Sequence, residues 1–167
     1  MQDDGFERGS RSVRARWELE DGSPVVGYHI TMRLLYDTGI ARKPAALRKA
    51  SSVVLRHGED RGLLAYSFAD THLHSVVTCD RIDAGKFALY TEAGLRKRMH
   101  IRVPFERCRI RPIGSERYLG NTLRYLFRQG EHHGTTFDRA HDGTSLPDLI
   151  GLRVGAPWLA ERVVEAI

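Results

Sequence analysis

The chain has 167 residues, 41% hydrophobic and 28% charged, a composition that fits one soluble domain with its own core and excludes a disordered chain. No apolar run approaches the ~20 residues that span a bilayer, and the opening MQDDGFERGSRS has no signal-peptide core, so a cytoplasmic protein is expected. Lys and Arg number 26 against 21 Asp and Glu, and the resulting charge of +5 favours a polyanionic partner, most commonly nucleic acid.

Residues 1–22 are polar, charged and Gly-containing, and read as a loose arm. Residues 24–36 (PVVGYHITMRLLY) alternate as a strand does, with Tyr28, Ile30 and Met32 on one face and His29, Thr31 and Arg33 on the other. A helix is predicted from Pro44, with Leu47, Val54 and Leu55 as its apolar stripe and Gly58 and Gly62 at its end. LLAYSFA (63–69) and LHSVVTC (73–79) then read as two closely linked strands.

A second helix is predicted over 83–101, with Phe87, Leu89, Tyr90 and Leu95 on its apolar side and a basic last turn. FERCRIRPI (105–113) reads as a strand, and 115–130 as a third helix with Ser115 as N-cap and Gly130 past its end. Leu119, Leu123 and Leu126 form the seam that would dock this helix on the sheet. The order β-α-β-β-α-β-α predicts an α+β, ferredoxin-like fold, an antiparallel sheet with helices on one face and the other face open to a ligand. Residues 23–130 would form this domain, and 131–167 a loop with a short C-terminal helix over APWLAERVVEAI. Cys79 and Cys108 lack a C-x-x-C spacing and sit in apolar stretches, so buried free thiols are expected.

His72 and His74 stand out in the third strand. Residues two apart in a strand share a face, about 6.6 Å apart, so both imidazoles can reach one cation at bonds of about 2 Å. On the third helix, Tyr125 and Gln129 are four apart and would project together, with Tyr118 and Thr122 near the same face. A cation held by two imidazoles and an amide can polarise a phosphodiester, and a nearby phenolate can attack it to give a covalent phosphotyrosine.

HLH between apolar β-segments, followed about fifty residues later by a helix carrying Tyr-Leu-x-x-Gln, resembles the single-tyrosine HUH transposases. These are the insertion-sequence enzymes and their relatives associated with repetitive extragenic palindromes. YHITMRL resembles the family's first strand and ERYLGNTLRYL the approach to its catalytic helix, so the similarity covers about residues 25–130. The resemblance implies that His72, His74 and Gln129 bind Mg²⁺ or Mn²⁺ and that Tyr125 is the nucleophile. It implies a single-stranded DNA substrate, often beside a hairpin, nicked and rejoined through a 5′-phosphotyrosine by a nucleoid-associated monomer or homodimer. Thr71 stands where the family commonly has Asn, Gln129-Gly130 departs from the Asn-Pro of many repeat-associated members, and Asp70 has no counterpart.

Arg107, Arg109 and Arg111 alternate along the fourth strand, a stripe that either protects an edge or tracks phosphates. Arg96, Lys97, Arg98 and Arg102, with Arg128 on the third helix, would add salt-sensitive affinity for DNA. His29, His57, His132, His133 and His141 carry no compelling spacing, and Trp158 reads as packing on the body or a partner subunit. Tyr118 is the rival nucleophile. The alternative functions are a domesticated, catalytically inactive hairpin or single-stranded DNA-binding protein of the same fold and, more weakly, an RNA-binding module, against which the missing aromatic platform counts.

Overall fold

Strand alternation divides the molecule into two packed faces. A computed structural model of the chain describes residues 24–69, 71–129, 140–153 and 155–166. The arm at 1–22, Asp70, Gly130, His132 and His133 lie outside the described residues. In chain order the elements are β1 (Gly27–Arg33), α1 (Pro44–Gly58), β2 (Leu63–Ala69), β3 (His72–Val77), α2 (Arg81–Met99), β4 (Arg109–Ile113), α3 (Glu116–Phe127), the single turn α4 (Leu146–Leu149) and α5 (Pro157–Ala166). The sheet runs β2-β3-β1-β4 with every neighbouring pair antiparallel, an α+β architecture.

On one face Tyr28, Ile30, Met32, Tyr66, Phe68, Leu73 and Val77 pack against Leu47, Ala50 and Val54 of α1 and Ala84, Phe87, Ala88 and Leu95 of α2. On α2 the expected Phe87 and Leu95 are buried, but the rest of the stripe follows the helical period through Ala84, Ala88 and Thr91 and not through Leu89 and Tyr90. Leu89 is 62% exposed and Tyr90 is exposed as well. The helix also starts two residues early, because Asp80 caps it by accepting a hydrogen bond from the Asp83 amide at 2.8 Å. Two glycines set the approach of these elements. Gly62 turns the chain into β2 at φ +65°, and a Cβ there would stand 2.7 Å from the Thr78 carbonyl oxygen. A Cβ on Gly94 would stand 2.6 Å from Val53 Cγ1, so α1 and α2 touch where a side chain is missing.

The second face is where the structure departs from the expected open sheet. Leu119, Leu123 and Leu126 of α3 pack on Leu64, Ala65, Val76 and Ile113, so α3 covers part of this face while α1 and α2 hold the other. The expected seam is the one used. A bulge in β2 helps: the register with β3 shifts between Leu63 and Ala65, which sends Leu64 and Ala65 together to the α3 side while Leu63 and Tyr66 stay opposite.

The segment from Ala140 onward closes the β2 edge. The Phe68 amide donates to the Gly143 carbonyl at 2.8 Å and the Ser145 amide to the Tyr66 carbonyl at 3.0 Å, which removes an unpaired edge. Arg153 ties this segment down through Asp148, whose side chain is fully buried, and through the Thr144 carbonyl at 2.7 Å. Its contact with the Tyr66 hydroxyl, at 3.3 Å, meets a phenol that burial pushes up to about 12. In α5, Leu159 is buried, Arg162 donates to the Glu59 carbonyl at 2.8 Å and stacks on Trp158 at 4.7 Å, so Trp158 packs on the body. Cys79 and Cys108 are free and half-buried, and burial raises both thiols, to about 12 and about 11. No helix among the described residues is long and apolar enough to cross a membrane.

The α3 seam is the joint that holds the helix carrying Tyr125. Leu119→Ala should therefore lower unfolding stability by about 2–5 kcal/mol in denaturant titrations, and an unchanged midpoint would show that α3 is not anchored there.

Candidate active site

The polar face of β1 and its neighbours builds a cleft of about 570 Å³ against α3. The sheet register aligns it. Thr31 of β1 lies between His74 of β3 and Arg109 of β4, and Ser67 of β2 pairs with His74 on its far side. One row back, Arg33 pairs with His72, and one row forward His29 pairs with Arg111. Since residues two apart on a strand share a face, His29, Thr31, Arg33, His72, His74, Arg109 and Arg111 all line the cleft.

His72 and His74 stack loosely, with ring centroids 5.8 Å apart and planes inclined by 29°. Each is held through Nδ1. That atom of His72 lies 2.8 Å from the Thr71 hydroxyl, and that of His74 lies 3.1 Å from Nε2 of His29 and 3.5 Å from the Thr31 hydroxyl. Thr71, one of the departures from the family pattern, is thus buried against the first histidine of the pair. His29 is the residue that reading the sequence missed. Burial, and then the Arg111 guanidinium, hold its pKa below the ordinary histidine range, which favours the neutral imidazole. With Nδ1 engaged in this way, a cation would be taken at Nε2 of His72 and His74, the arrangement metal-bound histidines usually adopt.

Tyr125 reaches the cleft from α3, which starts at its Ser115 cap, where the side chain accepts from the Tyr118 amide at 3.2 Å. The phenol ring is 43% exposed and stands edge-on to His74 and His29, with centroids 5.9 Å and 6.3 Å away. Tyr118 lines the same cleft, as do Asn121 and Thr122.

Gln129 lies past the end of α3. The helix ends at Phe127, and Arg128 leaves helical geometry at φ −104°, ψ 10°, its amide donating to the Tyr125 carbonyl at 3.1 Å in a tightened last turn. Gln129 beyond this break is only 2% exposed and is not among the cleft residues. Both its amide oxygen and its amide nitrogen are buried without a hydrogen-bond partner, a costly state in a native fold. Among the described residues no cluster of three His, Cys, Asp or Glu could hold a metal ion. The donors on hand are the two imidazoles in the cleft and, buried outside its lining, the unpartnered Gln129 amide, a set that suits a divalent cation.

The expected arginine stripe lines the cleft: Arg107, Arg109 and Arg111, joined by Arg33. Glu106, 3.6 Å from Arg33, is the one carboxylate among the lining residues. Ile110 and Cys108 face the main core, as alternation requires. The other basic residues fall elsewhere. Arg96 lies 4.0 Å from Glu92, Arg102 and Arg128 are exposed outside the cleft, and Lys97 and Arg98 line a second groove between α1 and α2. The α2 cluster is on the wrong side of the sheet to serve Tyr125, because α2 packs on the opposite face. His141 has a local task, its Nδ1 accepting from the Gly143 amide at 3.0 Å.

No family model matches the chain, and no curated protein matches it. Among solved structures, the chain is similar to a REP-associated tyrosine transposase bound to a REP hairpin, with a TM-score of 0.61 and 10% sequence identity, over 77% of this chain and 82% of that one. At that identity the likeness is one of fold: the described chain shares the α+β architecture of that transposase.

Proposed function

We propose that the protein is a metal-dependent tyrosine DNA strand transferase acting on single-stranded DNA beside a hairpin. One observation carries the reading: Tyr125, contributed by α3, stands edge-on to His74 in a cleft that His72 shares and arginines flank. Three further points support it. The sheet is four-stranded and antiparallel, the fold is similar to that of a transposase solved on a DNA hairpin, and the cleft presents four guanidinium groups against one carboxylate.

In this reading the arginines take the phosphates of the strand by charge-assisted hydrogen bonds, and Asn121 and Thr122 contribute neutral donors beside them. Tyr125 Oη gives up its proton to solvent and attacks the scissile phosphorus. The bond to the 3′ oxygen breaks, that oxygen takes a proton from solvent and leaves as a 3′-hydroxyl, and the 5′-phosphate stays esterified to the tyrosine. A second 3′-hydroxyl reverses the step and joins the strands. His72, His74 and Gln129 would hold the divalent cation, which when bound neutralises charge on the phosphate oxygens. His29 positions His74: accepting a hydrogen bond from its Nδ1–H selects the tautomer whose Nε2 carries the lone pair. Thr71 does the same for His72.

A second reading, a DNA-binding protein without catalysis, is favoured by the absence of Gln129 from the residues that line the cleft. Covalent chemistry separates the two. Tyr125→Phe should abolish the denaturation-resistant protein–DNA adduct formed with Mg²⁺ or Mn²⁺ while leaving single-strand affinity within about twofold, the readout being a gel shift alongside a denaturing gel. Wild-type protein that binds hairpin DNA yet never forms an adduct would favour the second reading.

The donor set also predicts metal preference. Imidazole nitrogen favours Mn²⁺ over the oxygen-seeking Mg²⁺, so Mn²⁺ should bind more tightly by calorimetry. His29→Ala should weaken that affinity about 10–100-fold, and His29→Gln, which keeps an acceptor, should restore part of it. Equal Mn²⁺ affinity in wild type and His29→Ala would refute the positioning role.

A further inference from the structure

A second groove lies on the opposite side of the molecule from Tyr125. Its walls are the outer faces of α1 and α2, the helices that cover the sheet face remote from the histidines. Each wall repeats with the helical period. Lys49, Ser52, Val53, Arg56 and His57 come from α1, and Tyr90, Ala93, Gly94, Lys97 and Arg98 from α2, with His100 just past its end. The spacing is i, i+3, i+4, i+7, i+8 on both helices, which makes one continuous stripe on each. The groove is about 820 Å³.

Its composition is one-sided. Four Lys or Arg side chains and two histidines line it, and no Asp or Glu does. The nearby carboxylates Asp83 and Glu92 are each engaged with a basic neighbour on their own helix, so among the described residues no carboxylate lining the groove offsets its charge. The floor is apolar and close, because Gly94 lets α2 meet Val53 of α1. One aromatic surface is also present: Tyr90 is 43% exposed, tilted against His57 at 6.2 Å, with the Arg61 guanidinium 5.1 Å over its ring. Lys49 and Arg56 are separated by seven residues, about 10 Å along the helix axis, so the cations are spaced along a line and do not converge on one point. A single small anion would need convergence. A polymer of phosphates needs a line.

We propose that the α1–α2 groove is a second nucleic-acid site, taking the sugar–phosphate backbone of a DNA segment distinct from the strand in the Tyr125 cleft. The choice of a phosphodiester among polyanions rests on the DNA-processing reading of that cleft. Lys49, Arg56, Lys97 and Arg98 supply ion pairs to phosphates, and the apolar floor with Tyr90 accommodates sugars and the edge of a base. The two faces together let one protein hold two stretches of the same DNA on either side of its sheet.

The test uses the full chain, a labelled DNA hairpin with a single-stranded extension, and the extension alone. Two charge-removing variants, Lys97→Gln/Arg98→Gln and Lys49→Gln/Arg56→Gln, alter each wall separately at exposed positions, and thermal melting checks that both fold. Each should weaken binding to the extended hairpin roughly threefold to tenfold and flatten the log–log salt slope by about 1 to 2, as loss of one or two phosphate contacts requires. Adduct formation on the short extension should be unchanged. In the wild type, bound hairpin should protect Lys49 and Lys97 from lysine acylation. Wild-type affinity and salt slope in both variants, or Lys49 and Lys97 of the wild type acylated equally with and without hairpin, would overturn the proposal, as would selective loss of binding to polyglutamate or anionic vesicles with DNA binding intact. The two readings fail separately. If no adduct ever forms but the variants still weaken hairpin binding, the strand-transfer reading falls and the groove stands. If the adduct forms and the variants bind as wild type, the groove alone falls.

Discussion

The functional face depends on the register between β1 and β3. Pairing Thr31 with His74 and Arg33 with His72 puts both histidines of β3 on the polar face, and brings His29 of β1 diagonally to 3.1 Å from His74. A slip of one residue would turn His72 and His74 into the α1–α2 core and Leu73 out to solvent. The apolar partners on the other face, Ile30, Met32 and Leu73, all fully buried or nearly so, penalise that slip. The core thus enforces the geometry of the site it does not touch.

α3 supplies the other half. Its leucines are spent on Leu64, Ala65, Val76 and Ile113, which leaves the Tyr118–Tyr125 side over the histidines. Because that seam lies on the same sheet face as the cleft, docking α3 and closing the active-site wall are one event. The basic residues divide by the same logic. Those on β4 and before it face Tyr125, and those on α2 face away from it, so the positive charge of the chain is split between two surfaces with the sheet between them.

How much of this was legible in the sequence follows from how local each signal is. The alternation in β1, the Leu119–Leu123–Leu126 seam and the Arg107–Arg109–Arg111 stripe are local patterns, and the structure reproduces them. His29 carried no signal because its partner is 45 residues away and only strand register brings them together. The end of α3 was misread because Arg128 breaks the helix without a Gly or Pro at that position, so Gln129 lies past the helix and is buried there. On α2, the expected core residues Phe87 and Leu95 are buried, but reading Leu89 and Tyr90 with them is a phase error, since the rest of the stripe runs through the small residues Ala84, Ala88 and Thr91. That same phase error hid the groove that Tyr90 and Lys97 line.

The central claim is that Tyr125, and not Tyr118 on the same cleft, becomes covalently joined to DNA. Trypsin cuts the two apart, after Arg117, Arg124 and Arg128, leaving Tyr125 in the peptide YLFR and Tyr118 in YLGNTLR. Protein trapped on hairpin DNA with Mn²⁺, then digested with nuclease and trypsin and analysed by mass spectrometry, should carry a nucleotide phosphate on YLFR. Finding it on YLGNTLR, or on neither peptide, would contradict the account.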